Sequence, residues 1–372
     1  MSKIVQIRSQ IQQLVLFSSM FSWSSLCEHI IFSPFDYYSF FSEARFPLAI
    51  NFLVTSGCNL KCKMCNYRTL LNTKRSEELR TDEIKDFFIR EHKKKFHVIL
   101  TGGEPFIRED IFEIIETIKQ LGLTCGIITN GTLITGKKVK YLIELKIDYI
   151  IFSLLGPREI HDSTTGMPGS FDLMINNIRS ISSSRKKTKI FINSPVTYLN
   201  MPYLKDIIHI AEDVGVDALR FEQMNFITEE QDKIQQSICA EKFPNEDLMF
   251  CTHKINNNEL KQLKENAQHV ESLMNIKGTF KIPVYFKPFL NVDEMYSWYS
   301  ENHNIKRKCL FVWKSLFINP CGDVLPCQFL ISKMGNIKQD RLEDIWNNAK
   351  YKNMRKQLKE SLLPVCLRCC KL

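Results

Sequence analysis

The chain has 372 residues, 44% of them hydrophobic and 24% charged, with only 14 glycines and 13 prolines. This composition supports a large buried core and excludes a disordered, collagen-like or low-complexity chain. Lys and Arg outnumber Asp and Glu by 50 to 41, but the excess is scattered apart from short runs such as Lys93–Lys95 and Arg185–Lys187, so no nucleic-acid partner is expected.

In chain order, residues 1–47 read as an N-terminal extension. Ser9 to Cys27 carries no charge, yet glutamines and five serines interrupt it, and Leu14–Phe21 is too short to span a bilayer. An amphipathic segment packed on the body or on a partner is expected, with no transmembrane segment.

Between residues 48 and 226, strand and helix patterns alternate. Apolar runs Leu48–Val54, Phe96–Leu100, Cys125–Thr129, Tyr149–Ser153, Lys189–Val196 and Ala218–Phe221 predict six buried strands. Helical spacing follows at Ile84, Phe87 and Phe88, at Ile111, Ile114, Ile115 and Ile118, at Leu173, Ile175, Ile178 and Ile181, and at Leu204, Ile207, Ile208 and Ala211. Six strand–helix units predict an α/β fold with a parallel sheet, doubly wound or barrel-like, and chemistry at the strands' C-terminal ends. Residues 227–300 predict a connecting region over the site, with a strand Phe280–Phe286. Residues 301–372 predict a small module with a Gly322–Asp323 turn and a helix near Leu342–Trp346.

The thirteen cysteines are bunched: nine fall within 58–65 and 309–370. Metal-ligand spacing in an enzyme-sized chain predicts reduced thiolates in a cytoplasmic protein rather than a secreted disulfide scaffold. After the first strand stands Cys58-Asn-Leu-Lys-Cys62-Lys-Met-Cys65. Chance expects about 0.02 such arrays at this cysteine content. Three thiolates can hold three irons of a cubane cluster and leave the fourth open, whereas electron-transfer clusters use four; a zinc knuckle completed from elsewhere is the alternative. The second strand runs into Thr101-Gly102-Gly103-Glu104-Pro105. Its glycines let a backbone approach a ligand closely, and Glu104 offers a carboxylate to an ammonium group.

With these residues the sequence resembles the radical SAM superfamily over about residues 48–226. The resemblance implies a partial (β/α)6 TIM-like barrel, a [4Fe–4S] cluster on Cys58, Cys62 and Cys65, and S-adenosylmethionine (SAM) on the unique iron. It implies that Gly102, Gly103 and Glu104 bind the methionine ammonium and that the Met64 backbone binds the adenine. Asn130, in Thr129-Asn130-Gly131, and Ser153, at the ribose position, match the family's pattern, as do His161-Asp162 and Gly169-Ser170-Phe171-Asp172. Leu155 stands where relatives often carry Asp, and Thr165 where many carry an Arg that clamps the cofactor carboxylate. Asn130 also reads as a turn residue, and Ser153 as a core hydroxyl.

The C-terminal module offers six cysteines for a closed four-thiolate site, suited to zinc or to a cluster. Cys309, Gly322, Cys327, Gly335-Asn336-Ile337, Ile345-Trp346 and Cys366-Leu-Arg-Cys369 resemble the SPASM/twitch extension of radical SAM enzymes. This implies one auxiliary [4Fe–4S] cluster on Cys309, Cys327, Cys366 and Cys369. Cys370 neighbours Cys369 and points the other way, and Cys321 precedes the turn, so neither is expected as a ligand. Cys125, Cys239 and Cys251 read as buried hydrophobes.

The expected function is radical hydrogen abstraction, for oxidation or modification of a peptide or small molecule, with an electron donor such as a flavodoxin or ferredoxin. A non-catalytic iron–sulfur or zinc protein, acting as electron carrier or scaffold, is the alternative; the open iron and the Gly-Gly-Glu strand end argue against it. No peptide-binding domain is evident ahead of residue 48, nor a cobalamin domain.

Overall fold

The apolar runs become one parallel series: β1 (Ala49–Thr55), β2 (His97–Gly102), β3 (Thr124–Thr129), β4 (Tyr149–Ser153), β5 (Lys189–Val196) and β6 (Ala218–Gln223). Neighbours in sequence pair with one another in the sheet. Parallel neighbours require crossovers, and helices supply them: α1 (Thr81–Glu91), α2 (Ile111–Gln120), α3 (Gly136–Glu144), α4 (Arg158–Thr165), α5 (Ser170–Ser184) and α6 (Leu204–Asp213). The computed structural model describes residues 36–38, 42–73, 75–243, 250–274, 280–301, 303 and 307–371. The amphipathic segment expected within residues 1–47 falls mostly outside them.

Alternation along the strands divides two faces. Ile50, Phe52 and Val54 of β1 enter the main core under the helices, where Phe52 meets Phe87 and Phe88 at ring separations of 5.9 and 5.5 Å. Tyr149, Ile151, Phe191 and Ala218 form a second cluster with Ile99, Ile128 and Tyr285. These side chains line the concave face, and the architecture is a partial barrel.

Beyond β6 come β7 (Phe226–Ile227), α7 (Glu229–Lys242), β8 (His253–Lys254) and α8 (Asn257–Met274). Then β9 (Val284–Lys287) joins the sheet parallel to β6, and α9 (Val292–Trp298) follows. The cysteine-rich end extends the opposite edge. Its β10 (Ser315–Ile318) pairs in parallel with β1, from Ala49↔Ser315 to Phe52↔Ile318. Antiparallel β11 (Asp323–Leu325) and β12 (Gly335–Asn336) complete a ten-stranded sheet. The β10–β11 turn uses Gly322 at φ +87°, in the left-handed region where glycine is favoured, and Asn319 Oδ1 accepts from the Cys321 and Asp323 amides. Helices α10 (Leu342–Trp346) and α11 (Ala349–Glu360) cover the module. Leu53, Phe317 and Leu325 join barrel and module on one apolar face.

Candidate active site and auxiliary cysteine site

The loop after β1 is held first by a carboxylate. Glu78 accepts from Thr55 Oγ1 at 2.9 Å, from the Ser56 amide at 2.7 Å and from Ser56 Oγ at 2.8 Å. The end of β2 then presses against it. The Gly103 amide donates to Thr55 O at 2.9 Å, and the Glu104 amide to Gly57 O at 2.7 Å. A Cβ on Gly102 would stand 2.4 Å from Thr55 O, and one on Gly103 2.2 Å from Gly57 O. Both glycines are therefore required by the approach of two backbones, the strand end and the cysteine loop.

Later elements lace the loop down. The Lys61 and Lys63 amides donate to Thr165 O and Thr164 O, at 3.0 and 2.9 Å, using carbonyls at the open end of α4. Asn59 donates to Thr132 Oγ1 at 2.9 Å and accepts from Asn130 Nδ2 at 3.0 Å. Held this way, Cys58, Cys62 and Cys65 line one cavity of about 190 Å³ together with Met64, Gly102, Gly103, Asn130 and Ser153. Asn130 also makes the turn, since its Oδ1 accepts from the Thr132 amide and hydroxyl.

Glu104 is placed differently. It is fully buried, outside the cavity wall. Its carboxylate accepts from the Phe106 amide at 3.1 Å, from Thr129 Oγ1 at 2.8 Å and from the Asn130 amide at 2.7 Å. It clasps the end of β2 to the end of β3. Burial pushes its pKa up to about 7, against hydrogen bonds that favour the charged form.

The three thiols form no disulfide. Burial, reinforced by Cys65 and Cys58, pushes Cys62 up to about 12, and burial also raises Cys58 and Cys65. Thiols so disposed become thiolates on binding a cationic centre, and three on one loop suit a cubane with an open iron. The donor set therefore fits a cluster. Among the described residues, no group of three His, Cys, Asp or Glu side chains is arranged to hold a single metal ion.

In the C-terminal module, Cys309, Cys327, Cys366 and Cys369 line one small space walled by Phe311, Val312 and Leu358. Their donor set fits a closed four-thiolate cluster. The Leu330 amide donates to Cys327 Sγ and the Lys371 amide to Cys369 Sγ, each at 3.3 Å, and such bonds tune a cluster's potential. Cys370 is not in that wall, but its side chain does not point away from Cys369 as expected: the two thiols are hydrogen-bonded to each other, while Gln328 Nε2 donates to Cys370 Sγ at 3.5 Å and Glu222 and Lys287 lie near. Cys321 lines a separate cavity of about 540 Å³ with Thr55, Glu78 and Lys333. Cys125 and Cys251 are buried, while Cys239 is half-buried on α7.

Several residues with positional roles have no motif in the sequence. Arg368, inside the Cys366–Cys369 loop, is fully buried. It donates to Trp298 O at 2.7 Å, Gln231 Oε1 at 2.7 Å and Ser300 O at 2.5 Å. It thereby ties the terminal thiols to α7 and α9; its one signal is a lone arginine between two cysteines. Along β5 and β6, Asn193, Arg220 and Glu222 form a polar group, with the Arg220–Glu222 pair at 3.0 Å.

The chain matches the radical SAM superfamily over residues 52–211 and an iron–sulfur cluster-binding domain, SPASM, over residues 309–370. It is 30% identical over 305 residues to an AdoMet-dependent heme synthase of Oleidesulfovibrio alaskensis, spanning 80% of this chain and 74% of the relative. It is 24% identical to the antilisterial bacteriocin subtilosin biosynthesis protein AlbA of Bacillus subtilis, over 82% of this chain and 61% of that protein. The crystal structure of Streptococcus suis SuiB bound to S-adenosylmethionine has the same fold, with a TM-score of 0.61 at 17% identity, covering 85% of this chain and 69% of that one. No helix among the described residues is long and apolar enough to cross a membrane. The chain thus belongs to the radical SAM superfamily: it is an enzyme with a SAM-binding [4Fe–4S] cluster and, in a C-terminal SPASM domain, an auxiliary iron–sulfur cluster.

Proposed function

We propose that Cys58, Cys62 and Cys65 hold the SAM-binding cluster, that Cys309, Cys327, Cys366 and Cys369 hold the auxiliary cluster, and that the enzyme removes a hydrogen atom from a peptide or small molecule. The observation that carries this reading is the one cavity in which three thiols meet Gly102, Gly103, Asn130 and Ser153. When bound and reduced by a donor such as a flavodoxin or ferredoxin, the cluster and SAM supply a 5′-deoxyadenosyl radical.

The chain's own residues position and enclose. The backbone of Gly102 and Gly103 receives the methionine ammonium, the Met64 backbone the adenine, and the Ser153 hydroxyl the ribose. Glu104 acts from behind: by fixing the Asn130 amide and the end of β2, it sets the spacing of that wall. Leu60, Ile128, Leu155 and Pro195 supply apolar surface, which keeps water and stray hydrogen donors from a reactive species. The relatives named above serve haem synthesis and bacteriocin biosynthesis, and both kinds of substrate fall within the proposed class.

Anaerobically reconstituted protein, reduced with dithionite and given SAM, is expected to release 5′-deoxyadenosine, measured by chromatography. The Cys62→Ala variant should release none. Cluster-loaded wild type that neither binds SAM nor forms 5′-deoxyadenosine would overturn the reading.

A further inference from the structure

Two rows of side chains run across the concave face from the cavity that the three thiols share. Ser153 and Pro195 line that cavity. In the sheet register Ser153 stands beside Asn193, Asn193 beside Arg220, and Arg220 beside Tyr285; further along, Pro195 stands beside Glu222 and Glu222 beside Lys287. Alternation along a strand keeps every second residue on one face, and Ala218 and Tyr285, two residues before Arg220 and Lys287, belong to the concave cluster. Two strand spacings put Lys287 about 10 Å across the sheet from Pro195.

These rows concentrate positive charge. Arg220 Nε donates to Asn193 Oδ1 at 2.8 Å, its Nη2 lies 3.0 Å from Glu222 Oε1, and Asn193 Nδ2 donates to Glu222 Oε2 at 3.0 Å. Arg220 Nη1 has no partner among the described residues and keeps accessible surface. The Arg220 and Glu222 side chains are 15% and 18% exposed, and Lys287 is half-buried, so all three can be reached from the barrel interior. The end of the chain adds a cation: Lys371, two residues past Cys369, acts on both Glu222 and Lys287. Three cations thus gather about the Glu222 carboxylate, with the Cys370 thiol beside them, between the SAM cavity and the auxiliary site. Burial, then Lys371 and Arg220, push Lys287 down to about 7, so its ammonium is only partly formed at neutral pH. Crowded cations in a half-buried place are costly, and an anion from outside relieves that cost.

Resting on the reading of the neighbouring cavity as the SAM site, we infer that Arg220 and Lys287 are the docking site for a carboxylate of the substrate, which is therefore an anionic molecule held between SAM and the auxiliary cluster. Arg220 offers Nη1 and Lys287 its ammonium. Glu222 and Asn193 hold the guanidinium in place on the sheet, so the donors are set before the substrate arrives.

The probe is succinate, with succinamide as its uncharged counterpart, titrated calorimetrically into cluster-loaded protein at constant ionic strength, with and without SAM. Succinate, and not succinamide, is expected to bind wild type in both conditions and to raise its melting temperature, as linkage requires. Lys287→Gln leaves the Arg220–Glu222 pair in place and should bind succinate roughly tenfold more weakly, the loss of one charged hydrogen bond. Lys287→Arg should recover part of that affinity, and Arg220→Gln should weaken succinate binding as well. All three variants should bind SAM as wild type does. The inference fails if wild type binds succinate no better than succinamide, if Lys287→Gln binds succinate as wild type does, or if SAM expels succinate. A weakened SAM affinity in Lys287→Gln would assign the cations to the cofactor and would also overturn it. If cluster-loaded wild type binds no SAM, the reading of the cavity fails instead, whatever succinate does.

Discussion

Tyr67 Oη donates to Gln328 O at 2.9 Å. Tyr67 follows Cys65 by two residues, and Gln328 follows Cys327 by one, so a single hydrogen bond ties the loop of the first cysteine set to the second. The parallel pairing of β1 with β10 brings these segments together. Tyr67→Phe keeps the ring and removes the bond. It is expected to cost about 1 kcal/mol, read from the denaturation midpoint, with iron content unchanged. An unaltered midpoint would show that the bond contributes nothing.

Iron content tests the two thiolate sets. Reconstituted wild type should hold about eight irons per chain, and the triple replacement of Cys58, Cys62 and Cys65 by Ala about four. Cys309→Ala, Cys327→Ala, Cys366→Ala and Cys369→Ala should each lose the auxiliary iron while SAM cleavage persists. Cys321→Ala and Cys370→Ala should keep full iron, because neither side chain lines the space shared by the other four. Loss of auxiliary iron in Cys370→Ala but not in Cys369→Ala would reverse the assignment.

Gly103→Ala should displace the first cysteine loop. The added Cβ meets backbone, Gly57 O, which cannot swing aside as a side chain would. A cost of about 1–3 kcal/mol is expected, typical of overpacking, together with loss of iron from the first set. Gly136→Ala is the control, since nothing lies within 4 Å of its added Cβ. Equal iron content in the two variants would exclude the close-approach argument.

Two buried imidazoles set an acid limit on stability. Burial, helped by Lys119, pushes His97 down to about 3, and burial pushes His161 down to about 4. Both folded values lie below the ordinary 6.5, so the unfolded chain takes up protons that the fold refuses. Their stabilisation is full above pH 6.5 and falls as pH drops through 6.5 toward 4. From pH 7.5 to 5.5 each should cost about 1.4 kcal/mol, measured by denaturant unfolding. His97→Gln should show a smaller loss over that interval than wild type; an identical loss would remove His97 from the account.

How much was legible in the sequence follows from what is local. The C-x3-C-x2-C array and the Gly-Gly-Glu turn are contiguous, and β-branched runs with turn residues between them mark buried parallel strands. From these the six strands and the parallel sheet could be read directly, while the barrel class and the cofactors came through the family resemblance that the two motifs carry. Helix α3 (Gly136–Glu144) gave little signal, because only Val139 and Leu142 of its nine residues are buried. The placement of Glu104 was decided by tertiary structure. Its carboxylate reaches donors 25 and 26 residues away, on a strand end that β2–β3 pairing brings alongside. The contact between the Cys369 and Cys370 thiols and the seat of Arg368 belong to the same class. A motif states which atoms are available; which of them face a cavity, and which are spent on the protein's own backbone, is settled only when distant segments pack and every buried polar group must find a partner.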